Sequence, residues 1–190
     1  MEMDLEAEIL REHSKRQTVR IAQWIGKDKK RYRRLMDLLL HGEPVVTQRA
    51  AWILISCFEI HPPLITPWIP DLIRKMKDPD VHDALRRNVT GILQFCELPK
   101  SQLGIIATLC FEYLNTPGTP VAIQANAMTV LQRISDSEPD LKRELRTSIE
   151  LMLPNGTGAI CSRARRIMKQ LDRELPRPRV ETARIAGSRT

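Results

Sequence analysis

Apolar residues along this chain recur at spacings of three and four, without the sustained alternation of strands, so the pattern predicts amphipathic helices throughout. Four blocks share one arrangement: QRAAWILISCF around Arg49, RRNVTGILQFC around Arg87, QANAMTVLQRI around Ala125 and SRARRIMKQL around Arg163. Successive anchors lie 38 residues apart. The same register, carried to positions not used to find it, aligns Leu35, Ile73, Phe111 and Ile149 in one column. Leu38, Met76, Leu114 and Met152 fill a second, and Leu54, Ile92, Val130 and Met168 a third. All three columns are wholly apolar, which is the mark of a repeat that buries one continuous seam.

Breaks punctuate this pattern where helices should stop: Gly42-Glu43-Pro44, Asp78-Pro79, Thr116 to Pro120, and Pro154-Asn155-Gly156. Gly42, Asp80, Gly118 and Gly156 fall in one column just past the first helices, where a turn-tolerant residue is expected. Pro79 and Pro120 suit the first turn of the following helices, with Asp78 and Thr119 as their caps. Helices are thus predicted over roughly 28–41, 45–60, 64–77, 80–98, 101–115, 120–136, 139–153 and 159–174. Two shorter ones, over roughly 4–12 and 15–26, precede them and are expected to cap the stack. The expected organisation is a single domain over 1–175 (cap 1–27; repeats 28–65, 66–103, 104–141 and 142–175), followed by a basic, mobile segment 176–190.

The stretch IPDLIRKMKDPDVHDALRRNVTGIL, residues 69–93, resembles a HEAT repeat, with a proline in its first helix, an Asp-Pro turn and an arginine opening the second helix. The resemblance spans about 28–174 and is to the short bacterial HEAT-like (armadillo-type) proteins, with a more distant likeness to HEAT-like DNA alkylation repair proteins. It implies an all-α fold: a right-handed α-α superhelix, or solenoid, whose second helices line a concave surface. It further implies that the recurrent arginine pairs with an acidic residue near the turn, forming a structural ladder between repeats. Arg49, Arg87 and Arg163 match that position, and Ala125 departs from it. A fold of this kind carries no activity by itself.

Composition adds a charge asymmetry. The net charge of +7 divides as −4 over residues 1–14, +8 over 15–34, −3 over 35–160 and +6 over 161–190. The run KDKKRYRR, 27–34, sets six cations around Tyr32 at a helix start, the arrangement best suited to nucleic acid in this chain. Four cysteines, Cys57, Cys96, Cys110 and Cys161, lie far apart within apolar stretches and read as reduced core residues. The acidic first residues differ from a signal peptide, and no apolar run approaches the roughly 18 residues of a membrane span, so a cytoplasmic address without membrane contact is expected. The triplets at Asn88 and Asn155 are then chance glycosylation matches.

No constellation points to catalysis, a metal or a cofactor. DPDVHDA clusters Asp78, Asp80, His82 and Asp83 but lacks the glycine and distal glutamate of a calcium loop, so helix capping explains it better. His13, His41 and His61 sit near helix ends, without zinc spacing. The glycines at 156 and 158 lack the strand and lysine of a phosphate loop. Trp24 and Trp52 are expected to pack in the core, and the chain lacks the Gly/Ser-rich loop of fumarase-type lyases. The leading expectation is a non-enzymatic binding or scaffold module that holds a protein or peptide in its concave groove. The alternative is nucleic-acid binding through cations of the set Arg31, Arg33, Arg34, Arg86, Arg165 and Arg166, each guanidinium able to give two directed hydrogen bonds to phosphate.

Overall fold

A computed structural model describes residues 3–175; the segment 176–190 lies outside the described residues. Ten α-helices follow one another, with no strand among the described residues: α1 (Leu5–Arg11), α2 (Lys15–Ile25), α3 (Lys29–His41), α4 (Pro44–Ile60), α5 (Ile69–Met76), α6 (Asp83–Leu93), α7 (Leu103–Asn115), α8 (Val121–Ser137), α9 (Leu141–Met152) and α10 (Gly158–Glu174). They form an α-α solenoid of helix pairs in two layers. Second helices stack in the order α2, α4, α6, α8, α10, and each packs on the first helix of its own pair. In the first layer α1 meets α3, α3 meets α5, and α7 meets α9. No helix among the described residues is long and apolar enough to cross a membrane.

The repeat columns form the seam. Leu35, Ile73, Phe111 and Ile149 are all buried, as are Leu54, Ile92 and Val130, and Met168 packs partly buried against the same cluster. One continuous core runs from Leu5 in α1 to Leu171 in α10. The two leading helices, expected as a cap, are stacked like the rest, with α2 lying on α4 as α4 lies on α6. They make a fifth, shorter pair. Their place is secured by polar ties: Gln17 Nε2, in a buried side chain, donates to Glu8 O and Glu8 Oε2 at 2.8 Å, and Arg20 pairs with the same carboxylate.

Three local expectations change. The helix predicted over 64–77 begins as a 3₁₀ turn, Pro62–Trp68, because Pro67 has no N–H to give an α ladder; regular helix starts at Ile69 with Pro70 in its first turn. Asp78 does not cap α6. Its Oδ1 accepts from Asp80 N at 3.1 Å, closing a local turn, and His82 becomes the cap by accepting from Ala84 N at 3.0 Å through Nδ1. Thr119 likewise bonds back to Thr116 O, leaving Pro120 as the residue before α8. The glycine column also holds residues for different reasons. Gly118 has φ +84°, whereas Gly42 has φ −71° and is needed because a Cβ would sit 2.4 Å from Leu38 O.

Candidate functional site

Polar side chains tie the second-helix layer together. Gln94 Nε2 donates to Asn126 Oδ1 at 2.9 Å, Asn126 Nδ2 donates to Arg87 O at 3.2 Å, and Gln132 Nε2 donates to Gln170 Oε1. Arg133 on α8 reaches back to the end of α6, donating to Leu93 O at 2.6 Å and Cys96 O at 3.0 Å. Those carbonyls belong to a helix end that has no intrahelical donor for them. The rungs are therefore amides and guanidinium–carbonyl contacts.

The arginines expected in an acidic ladder use other partners. Arg49 donates to Ile9 O and Leu10 O, at 3.2 and 2.8 Å, and so caps the end of α1. Arg163 crosses α8 to reach Gln94 Oε1 at 3.0 Å and Thr129 Oγ1 at 2.6 Å. Burial, followed by the charge of Arg166, pulls its guanidinium below the ordinary arginine value. At the Arg86-Arg87 pair the anticipated roles are exchanged. Arg86, expected as a contact for a partner, clasps its own turn: Asp78 O at 2.7 Å, Pro79 O at 3.3 Å, Met76 O at 3.4 Å and Asp83 Oδ1 at 3.1 Å. Arg87, expected in the ladder, is exposed, and its guanidinium donates through Nε to the neighbouring Asn88 Oδ1 at 3.4 Å.

Arg87 stands at the edge of a cavity of about 380 Å³ between α4 and α6, lined by His13, Gln48, Trp52, Ile55, Ala84, Arg87 and Asn88. Trp52 is half-buried here, not a core residue; its ring centroid lies 5.2 Å from that of His13. Trp52 falls in the repeat column that holds Thr90, Met128 and Arg166 in later units, so it is the aromatic member of that column. Asn88 is 4% exposed, and its Nδ2 has no hydrogen-bond partner among the described residues. A buried amide donor left unpaired costs about 1–3 kcal/mol. An indole wall, an aliphatic Ile55, a guanidinium and an unmet amide donor together fit a group with an apolar body and a carbonyl or carboxylate end.

The remaining cations are dispersed. Arg31 lies over the Trp24 ring, 4.3 Å from its centroid, donates to Trp24 O and pairs with Asp28 at 3.5 Å. Arg33 and Arg34 are exposed on α3 in the first layer, while Arg165 and Arg166 are exposed on α10 in the second layer, three pairs further along. Tyr32, the aromatic that made the basic run suited to a base, is buried, its hydroxyl without a partner among the described residues, and offers no stacking face. Asp28 caps α3 by accepting from Lys30 N and Arg31 N, at 2.8 and 3.2 Å, which offsets cations at a positive helix end.

Burial pushes the thiols of Cys57 and Cys110 up to about 12 and that of Cys96 to about 11, which keeps them protonated at neutral pH and disfavours a nucleophilic thiolate. Among the described residues no group of three or more His, Cys, Asp or Glu is placed to hold a metal ion.

Sequence reasoning missed His13, Gln48 and Asn88 as cavity residues and passed over the amide rungs. One signal was present: Gln94, Gln132 and Gln170 repeat at the same 38-residue spacing as the seam. Comparison with known proteins matches residues 5–171 to a family described as HEAT repeat domain. Neither the curated proteins nor the solved structures contain a significant match to the chain.

Proposed function

Since the chain belongs to the HEAT repeat domain family, we propose that it is a non-enzymatic binding module whose second-helix layer holds an extended segment of a protein partner. The observation that carries this reading is the cavity between α4 and α6, where exposed Arg87 and half-buried Trp52 flank the unpaired Nδ2 of buried Asn88. A peptide suits these groups because it brings carbonyl oxygens at regular intervals and side chains that can fill an aromatic-walled recess. Arg87 selects a carboxylate at that recess, as a planar fork matches its two oxygens. Nucleic acid is served less well. Phosphate affinity needs several unneutralised cations along one track, and here Arg86, Arg31 and Arg163 have protein partners while the others lie in different layers.

Selection from a peptide display library tests this. Acidic-apolar peptides should be enriched by the unaltered protein, and Trp52→Ala or Arg87→Glu should weaken the selected peptides at least tenfold, about 1.4 kcal/mol, with melting temperature nearly unchanged. Failure to enrich any sequence, or single-stranded DNA binding that falls steeply with salt and is lost in Arg33→Glu/Arg34→Glu, contradicts it.

A further inference from the structure

The first-helix layer carries a second open feature, separate from the cavity above. Between α7 and α9 runs a groove of about 760 Å³ whose floor is apolar, with Leu103, Ala107, Phe111 and Ile134. Its walls bear Glu112, Glu138, Asp140 and Glu144 against one cation, Lys100. The groove follows α7, whose thirteen residues span about 20 Å, enough for roughly six residues of extended chain. Such a surface, apolar below and −3 in charge at its rim, fits a cationic peptide with a few aliphatic side chains.

The chain supplies a peptide of that description. Residues 176–190, PRPRVETARIAGSRT, carry Arg177, Arg179, Arg184 and Arg189 against Glu181, a charge of +3, together with Val180 and Ile185. The point of departure is also right. Glu174, at the end of α10, pairs with Lys142 Nζ at 2.9 Å, and Lys142 adjoins Leu141, which lines the groove. We infer that the groove between α7 and α9 is the receptor for the chain's own segment 176–190. The segment's arginines complement the carboxylates in charge, and Val180 and Ile185 match the apolar floor in character. Tethering gives the segment an effective concentration that a free peptide must exceed to compete.

A labelled synthetic peptide of residues 176–190 is titrated onto three proteins that each span residues 1–190. The variant with Arg177, Arg179 and Arg184 replaced by Glu has lost its own occupant and should bind the peptide. The unaltered protein should bind it at least tenfold more weakly. Adding Glu112→Lys and Glu138→Lys to the first variant should abolish binding; if that protein melts early, Glu112→Gln/Glu138→Gln should give an intermediate loss. Absence of binding to the segment variant, equal binding to variant and unaltered protein, or indifference to the groove substitutions overturns the inference. So does association of the unaltered protein in sedimentation that rises with concentration and disappears in the segment variant, since the groove would then hold a second copy's segment.

Discussion

At the scale of single residues, the first helix pair is held by one carboxylate. Glu8 accepts from Gln17 and pairs with Arg20 and Arg11, and these contacts, the Gln17 hydrogen bond foremost, hold its carboxyl below the usual glutamate range. A carboxyl whose folded value is depressed adds stability that is present above its unfolded value, near 4.5, and lost as pH falls through the lower folded value. Glu8→Gln should therefore melt below the unaltered protein at pH 7, with the gap closing as the pH is taken below 4.5. A gap independent of pH would place the effect in packing alone. Gly42 shows the opposite kind of dependence, steric and indifferent to pH, because Leu38 O leaves no room for a side chain.

At the scale of elements, the helices that sequence periodicity places well are those whose ends are local events. Helix α3 ends at Gly42 and α4 starts at Pro44, and both are visible in composition. Helix α6 is shorter than expected at both ends, for a local reason at its start and a tertiary one at its end. Its start is displaced by the Asp78 turn that Arg86 clasps, and its end is finished by Arg133 from the next pair. Arg86 stands in the first turn of α6, so that limit is local, whereas Arg133 lies 40 residues from Leu93 and its effect is not legible in the neighbouring sequence. The first pair reads as two helices but not as a repeat unit, because the 38-residue register carried back from Leu54 lands on Arg16, which is exposed. Distance in sequence hid the cavity, whose residues come from the α1–α2 turn, α4 and α6. Arg133→Ala should cost about 1–3 kcal/mol by stranding carbonyls at the end of α6. Arg87→Ala should stay within about 0.5 kcal/mol, as expected for an exposed side chain without tertiary ties. Chemical denaturation of the two variants separates these roles, and equal losses would return Arg87 to the ladder.

At the scale of the whole molecule, one apolar seam fastens five helix pairs, and each layer is left with a different outer surface. The second layer is closed along α6, α8 and α10 by amide rungs and is open at the α4–α6 cavity; the first layer is open between α7 and α9. Binding energy in such assemblies concentrates at a few aromatic and arginine anchors. Trp52 and Arg87 are the pair placed to act so. The most direct test puts a photo-cross-linking residue at Gln48, beside the cavity, and in a separate protein at Arg33 on the first layer. After irradiation in cells, the Gln48 position should yield a discrete adduct with a protein partner that Arg87→Glu removes, while the Arg33 position yields none. Adducts from Arg33 alone, or from Gln48 with no response to Arg87→Glu, would contradict the assignment of the second-helix layer as the binding face.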